Sequence, residues 1–439
     1  PAAMADGDPR TRTPIWQPAN GGMPTLLVSF DEPYTADTLV LQGLNIGRGR
    51  PDAMLHTSDD GRSFRPVGNV CLKWYPAAPT NTVRFDACTA RHFRLSFAAN
   101  SPQVSLGDVA LGRSNKVHYW EPKSGFTRYG EWGGGSHLYA ERKTTPAPGP
   151  AANESPASAD EAPAIPAAKV LDLSRSMDRD GTLSWQAPAG DWTVLRIGYT
   201  STGIKNHPAS AGGHGLECDK LHPSGVEAAF NGMLKRLIDT TSGYVGRSFS
   251  HAHIDSWEVG IQNWTEGMAQ TFEERNGYDL TPFYPLLVAG HAVESNEASE
   301  RFLWDLRQTL LAMMAENYLG RVRDLCHEHG LQFSSEAGGR QTFLHNPVGL
   351  LAISDLPMGE FWPHEGTPRV DGKAAASVAH LYGRPLAGAE SFTGAGPFAT
   401  WQSHPYRLKQ IGDEAFCLGI NHYVIHYCVH QAYEGFRPG

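Results

Sequence analysis

Cysteine is scarce: six residues in 439, none spaced as a C-x-x-C pair, so the sequence offers no structural zinc site of the usual kind. Positive charge is not in excess either. With 37 Lys and Arg against 46 Asp and Glu, the net charge is −9, which excludes the dominant basic face that a nucleic-acid partner requires. No apolar run reaches bilayer-spanning length, so no membrane partner is expected. The opening PAAMADGDPR has neither an initiator Met nor a signal-peptide pattern and reads as a trimmed or mature end. The closing HQAYEGFRPG follows an apolar segment without a cap, and the chain is expected to continue beyond Gly439, with a catalytic domain truncated at its C-terminus.

What is present describes a globular protein of several domains. Hydrophobic residues make up 40% and charged residues 19%, and 439 residues exceed one ordinary core. Between 22 and 112, runs such as PTLLVSF, DTLVLQGLNI, NTVRFDA and RHFRLSF alternate with turn residues, which predicts a β-sandwich. Asp60-Gly61 marks the tip of one turn. Residues 113–220 read as a β-rich connecting region, interrupted at 145–169 by a Pro- and Ala-rich linker.

From 221 onward, helical periodicity takes over. SGVEAAFNGMLKRLID places Val226, Phe230, Met233, Leu234, Leu237 and Ile238 on one face, with Ser224 as the expected N-cap. SERFLWDLRQTLLAMMAENYLGRVRDLCHEHG carries a longer stripe that Gly330 ends. Short strand-like runs then alternate with helices, which predicts a parallel sheet in the form of a (β/α) TIM-like barrel over 221–439.

Acids recur at the ends of those runs. Glu258, Glu336, Glu360 and Glu390 each follow one, with Asp255 and Asp355 beside them. Strand ends of a barrel converge on one mouth, so such acids would face each other and supply a general acid and base, with others left to bind hydroxyls or a cation. Each could instead cap a helix or pair with an Arg. Trp257, Trp264, Phe361, Trp362 and Phe392 would form an apolar wall, and Lys373, His380 and the final histidines would bind hydroxyls. The surplus of hard oxygen donors suits calcium. His422, His426 and His430 leave a histidine metal site open as an alternative to strand-lining polar residues.

HTSDDGRSFRPVGNV and ARHFRLSF resemble the discoidin-like jelly-roll family. IDSWEVGIQNWT, RNGYDLTPFYPLL, LPMGEFW, KAAASVAHLYG, AESFT and GINHYVIHYCVHQ, in that order, resemble glycoside hydrolase family 106, the α-L-rhamnosidases. GTLSWQAPAGDWTVLRIGYTSTG and GHGLECDKL resemble the region before its barrel. The sequence departs from the family pattern at Ala337-Gly338 and at Ala432.

The resemblance implies an inverting exo-glycosidase that releases terminal α-L-rhamnose from glycans or glycosides, with calcium near the sugar. Carried over by position, Glu258 and Glu390 are the catalytic pair, with Glu258 as acid and Glu390 as base. The roles are exchangeable, and Glu360 could replace either. Glu360 is the expected calcium ligand, while Asp255, Trp257, Glu336, Trp362, Lys373 and His380 are expected to bind substrate; Glu336 is also a candidate for the cation. A periplasmic or extracellular location follows. The alternatives are a glycosidase of the same fold acting on another terminal sugar, and a non-catalytic carbohydrate-binding protein.

Overall fold

The computed structural model describes residues 13–15, 22–42, 52–71, 80–97, 104–126, 163–206, 209–257, 259, 262–336, 346–363, 370–394 and 403–426. They divide into two compact units. One lies within Pro1–Thr127, Ala140–Thr200 and Gly267–Thr309, the other within Arg128–Tyr139, Ser201–Glu266 and Leu310–Gly439.

The first unit is sheet-rich. Strands β1 (Thr13–Ile15), β2 (Thr25–Leu41), β3 (Asp52–Ser58), β4 (Arg65–Cys71), β5 (Asn81–Phe97), β6 (Val104–Leu106) and β7 (Val109–Gly112) form a five-stranded sheet, ordered β4-β3-β5-β2-β7, and a β1-β6 pair. All pairings are antiparallel. Alternating residues from both sheets enter one apolar cluster: Leu55, Phe93, Leu95 and Phe97 from the larger, Ile15, Val104 and Leu106 from the smaller. That shared core is what the alternation between 22 and 112 predicts. At the Asp60-Gly61 turn, the Asp60 carboxylate accepts the N–H groups of Arg62 and Ser63. Cys88 is a free thiol, and burial pushes its pKa up to about 11.

The strand texture of residues 170–200 is not realised as strands. That stretch makes only an isolated bridge, Met177 to Leu183, and Trp192, Val194, Leu195 and Tyr199 stay exposed. Extended chain needs an edge to pair with and a face to bury, and among the described residues this stretch has neither.

The second unit carries a parallel sheet. Strands β8 (His251–Ile254), β9 (Gln332–Ser335), β10 (Leu356–Phe361), β11 (Gly388–Ser391) and β12 (His422–Ile425) pair in chain order. This is the arrangement of half a (β/α) barrel. The helices Val370–Leu381 and Pro405–Leu418 lie between its last three strands in sequence. They pack Ala375, Ala376, Ala379, Ile411 and Ala415 on Phe361, Ala389 and Ile420.

Small residues allow close approach. A Cβ on Gly359 would lie 2.5 Å from the Asp371 carbonyl carbon, so glycine there lets the helix's first turn rest on β10.

Two helical details differ from the periodicity. Pro223 takes the first helical position, so His222 is the N-cap and its side chain accepts the Ser224 N–H. The helix breaks at Met233, which leaves Met233 and Leu237 exposed rather than on the apolar face. The long helix does end at Gly330, in the left-handed conformation, but its middle, Met314–Gly320, is π-helical.

Glu121 tests the first unit's interior. It is 3% exposed; Oε1 accepts the Thr82 hydroxyl at 2.5 Å, and Oε2 is buried without a hydrogen-bond partner. Burial pushes its pKa from 4.5 up to about 7, against the opposing pull of the Thr82 bond and the Lys116 charge. A raised folded-state pKa gives stability that is complete below about 4.5 and lost as pH rises through about 7. Urea unfolding at pH 4.5 and pH 8 should show that loss, up to about 3 kcal/mol, and Glu121→Gln should remove that share of the pH dependence.

Candidate active site

Backbone register decides which side chains meet. Ile254 pairs with Ser335, so Asp255 and Glu336 leave their strands side by side, and the Glu336 N–H donates to the Ile254 carbonyl at 3.0 Å. Glu360 pairs directly with Glu390. One oxygen each from Glu336, Glu360 and Glu390 lie within 4.8 Å of one another, as do ligand atoms of His253, Asp255 and Glu336. Asp255, Glu336, Glu360 and Glu390 therefore converge at the carboxyl edge of the sheet.

Glu336 sits at the centre and is 2% exposed. Among the described residues, neither of its carboxyl oxygens has a hydrogen-bond partner. Desolvation raises its pKa well above the usual value, and Asp255, Glu390, Glu360 and Asp371 push in the same direction. His253 Nε2 stands 3.8 Å from Glu336 Oε1, and burial lowers the His253 pKa despite the nearby Asp255, so this ring is neutral at neutral pH. Glu360 Oε2 accepts the Trp362 indole N–H at 3.3 Å. Glu390 accepts a short hydrogen bond from the Thr393 hydroxyl, and His426 Nδ1 lies 3.8 Å from the same oxygen.

Phe392, between Glu390 and Thr393, has φ +64°, which turns the chain back toward the carboxylate. Its ring packs edge-to-face on Phe361 and Tyr423, with centroids 5.0 and 5.5 Å away.

The other expected residues divide. Trp257 is buried, 6.0 Å edge-to-face from Tyr318. Glu258 lies outside the described residues, as do Ala337, Gly338, His430 and Ala432. Lys373 and His380 are exposed and do not join the carboxylates. The Lys373 ammonium donates to the Leu418 carbonyl at 3.4 Å, and His380 approaches Gly419. Both contacts are just ahead of β12, at the opposite edge of the sheet. In a parallel βαβ unit the helix runs back along the strands, and that carries its later residues away from the site. Asp355 also sits at that opposite edge, where it accepts the Phe333 N–H and bonds His327 at 2.8 Å. His253, Asp371 and Thr393 were missed as site residues. His253 stands two positions before Asp255, and the period of a strand puts both on one face. Asp371 reaches the site only because Gly359 admits its helix, a tertiary effect with no local signal.

Three carboxyls on adjacent parallel strands, one orphaned and buried, fit a hydrolase of sugars, and the comparisons agree. The sequence profile of a family described as alpha-L-rhamnosidase matches residues 55–439. The chain belongs to glycoside hydrolase family 106. The solved structure of a rhamnosidase from Novosphingobium sp. PP1Y is similar to 94% of this chain, with a TM-score of 0.75 and 31% identity. A Formosa agariphila protein provisionally named beta-glucuronidase is 43% identical over 272 residues, 62% of this chain. The chain covers 37% of the former and 23% of the latter. Among the described residues, no helix is long and apolar enough to cross a membrane.

Thr393→Val keeps the shape of the side chain and removes the donor to Glu390. It should cost about 1.5–3 kcal/mol of folding free energy, the worth of a hydrogen bond to a charged group, measured by denaturant titration at pH 7.

Proposed function

We propose that the protein is an inverting exo-α-L-rhamnosidase acting outside the cytoplasm on rhamnose-terminated glycans or glycosides, its parallel sheet being part of a TIM-like barrel. The observation that carries this reading is the convergence of Glu336, Glu360 and Glu390 at one sheet edge in a chain of the rhamnosidase family.

Inversion needs an acid and a base roughly 6.5–9.5 Å apart, with room for the attacking water between base and sugar. Oxygens within 4.8 Å of one another leave no such room, so Glu336 and Glu360 are poor partners for Glu390. Glu390 is the base. Thr393 donates to its Oε1, leaving the other oxygen for water. The acid then comes from outside the trio, and Glu258, one residue past the buried Trp257, fills that role. Trp257 and Trp362 bound the sugar.

Calcium suits the trio, because the donors are all carboxylate oxygens and Glu336 has two buried oxygens without partners. Glu360 and Glu336 would hold it; bound there, it would supply positive charge for sugar hydroxyls. Burial favours the protonated form of Glu336 and calcium would compete with that proton, so its affinity should rise with pH.

A panel of aryl glycosides tests the reading. Rhamnose should be released from the α-L-rhamnoside and not from the fucoside, the galactoside or the glucuronide that the Formosa relative's name brings in. Glu390→Gln should lower turnover by roughly 10²–10⁴-fold, and NMR of the first-formed sugar should show inverted configuration. Retained configuration, or release from the glucuronide alone, would reject it.

Thorough chelation should abolish turnover, and calcium should restore it. Unchanged turnover in the metal-free protein would remove calcium from the proposal.

A further inference from the structure

Four side chains share one face on the β8 side of Glu336. His253 pairs with Ser334 in the parallel register, and Asp255 and Glu336 follow them by two positions each, the period of a strand. His253 Nδ1 stands 3.0 Å from Ser334 Oγ, and the Ser334 hydroxyl donates its proton to the Ala252 carbonyl at 3.4 Å. A hydroxyl has one proton to give, so Oγ accepts from Nδ1–H. In the neutral ring that leaves Nε2 as a bare lone pair. It faces Glu336 Oε1 at 3.8 Å, too far for a proton on Glu336 to bridge the two atoms.

This corner therefore gathers electron pairs with no proton between them. One donor atom each from His253, Asp255 and Glu336 lie within 4.8 Å of one another. The Ser256 N–H donates to Asp255 Oδ1 at 2.7 Å and steadies that carboxylate. Glu336 is 2% exposed, and among the described residues neither of its oxygens has a hydrogen-bond partner. His253 and Asp255 are exposed, which gives an ion a way in. Two atoms bound at about 2.1 Å to one tetrahedral ion stand about 3.4 Å apart, so the observed 3.8 Å needs only a small closure.

The donor set selects the ion. One imidazole nitrogen with two carboxylates suits zinc and its transition-metal neighbours, whereas calcium takes oxygen donors. Ser334 is the outer partner that such a histidine requires, since it fixes both tautomer and ring orientation.

We propose that His253, Asp255 and Glu336 form a second cation site, which takes a divalent transition ion of the zinc class. Glu336 is common to this site and to the trio with Glu360 and Glu390, so a transition ion bound here draws it from the trio and inhibits the enzyme. That consequence rests on the calcium-dependent glycosidase reading; the site itself does not.

The test titrates metal-free protein with zinc, calcium and cobalt(II). By calorimetry, the wild type should bind one more equivalent of zinc than His253→Gln with an unchanged circular dichroism spectrum. The visible absorption of cobalt in this site should vanish in that variant. Glutamine keeps an oxygen donor, so calcium affinity should change little. Ser334→Ala should weaken zinc binding by roughly 10–100-fold, the cost of removing the outer partner of a ligating histidine. In the wild-type protein itself, zinc but not calcium should protect His253 from acylation by diethyl pyrocarbonate, read by peptide mapping. With saturating calcium, zinc should lower turnover of an aryl α-L-rhamnoside, and further calcium should relieve it. Equal zinc stoichiometry in wild type and variant, or a His253 that zinc leaves as reactive as before, overturns the site. Zinc binding there without loss of turnover overturns the inhibition. If the wild-type protein releases no rhamnose, the glycosidase reading fails, and stoichiometry and protection still decide the site.

Discussion

Like-charge crowding at the carboxyl edge of β9, β10 and β11 is the constraint around which the second unit is organised. The register that pairs Glu360 with Glu390 cannot relax by sliding, because a one-residue slip would turn every side chain of the strand to the other face. Three carboxylates so close cannot all be ionised without compensation. The fold supplies part of it locally. Thr393 donates to Glu390, Trp362 donates to Glu360, and burial favours the protonated form of Glu336. Beneath them, the alanine-rich helix and the Phe361, Phe392 and Tyr423 rings provide apolar contacts that hold the strands in place.

Backbone strain is part of the same arrangement. A phenylalanine at φ +64° costs of order 1–3 kcal/mol. Were Phe392 to relax, its ring would leave the pocket between Phe361 and Tyr423, and Thr393 would turn away from Glu390. The aromatic packing therefore opposes the strain, and the result is a carboxylate whose orientation is set by its own strand.

How much of this the sequence discloses depends on the range of the interaction. Periodicity locates β9 through β12 and the helices between them, because each is a local pattern of burial. It also picks out Glu336, Glu360 and Glu390, since Glu336 directly follows β9 and the other two stand next to last in β10 and β11. It misjudges Lys373 and His380. Chain proximity to the acids suggests a shared site, but the helix running back along the sheet takes His380 to the far edge, and Lys373, two residues after Asp371, lies on the exposed side of the helix's first turn. It misses Asp371, whose approach depends on a glycine on another element, and it misses the π-turn, which nothing in the 3.6-residue stripe announces. At residues 170–200 the pattern of a strand is present while a partner edge is not, and pairing needs both.

Electrostatics bears on the kind of sugar that such a mouth accepts. Asp255, Glu336, Glu360 and Glu390 gather there. Among the described residues nearby, His253 is neutral and Lys220 is committed to Glu217. One divalent cation would offset two of four ionised carboxylates and leave the mouth negative. A uronic acid would bring a further carboxylate into that field, and its entry would require a cation to bridge it. A neutral sugar would bring hydroxyls, and no further charge, to those carboxylates. On the described charges, therefore, a neutral sugar would meet less repulsion at this mouth than a uronic acid would.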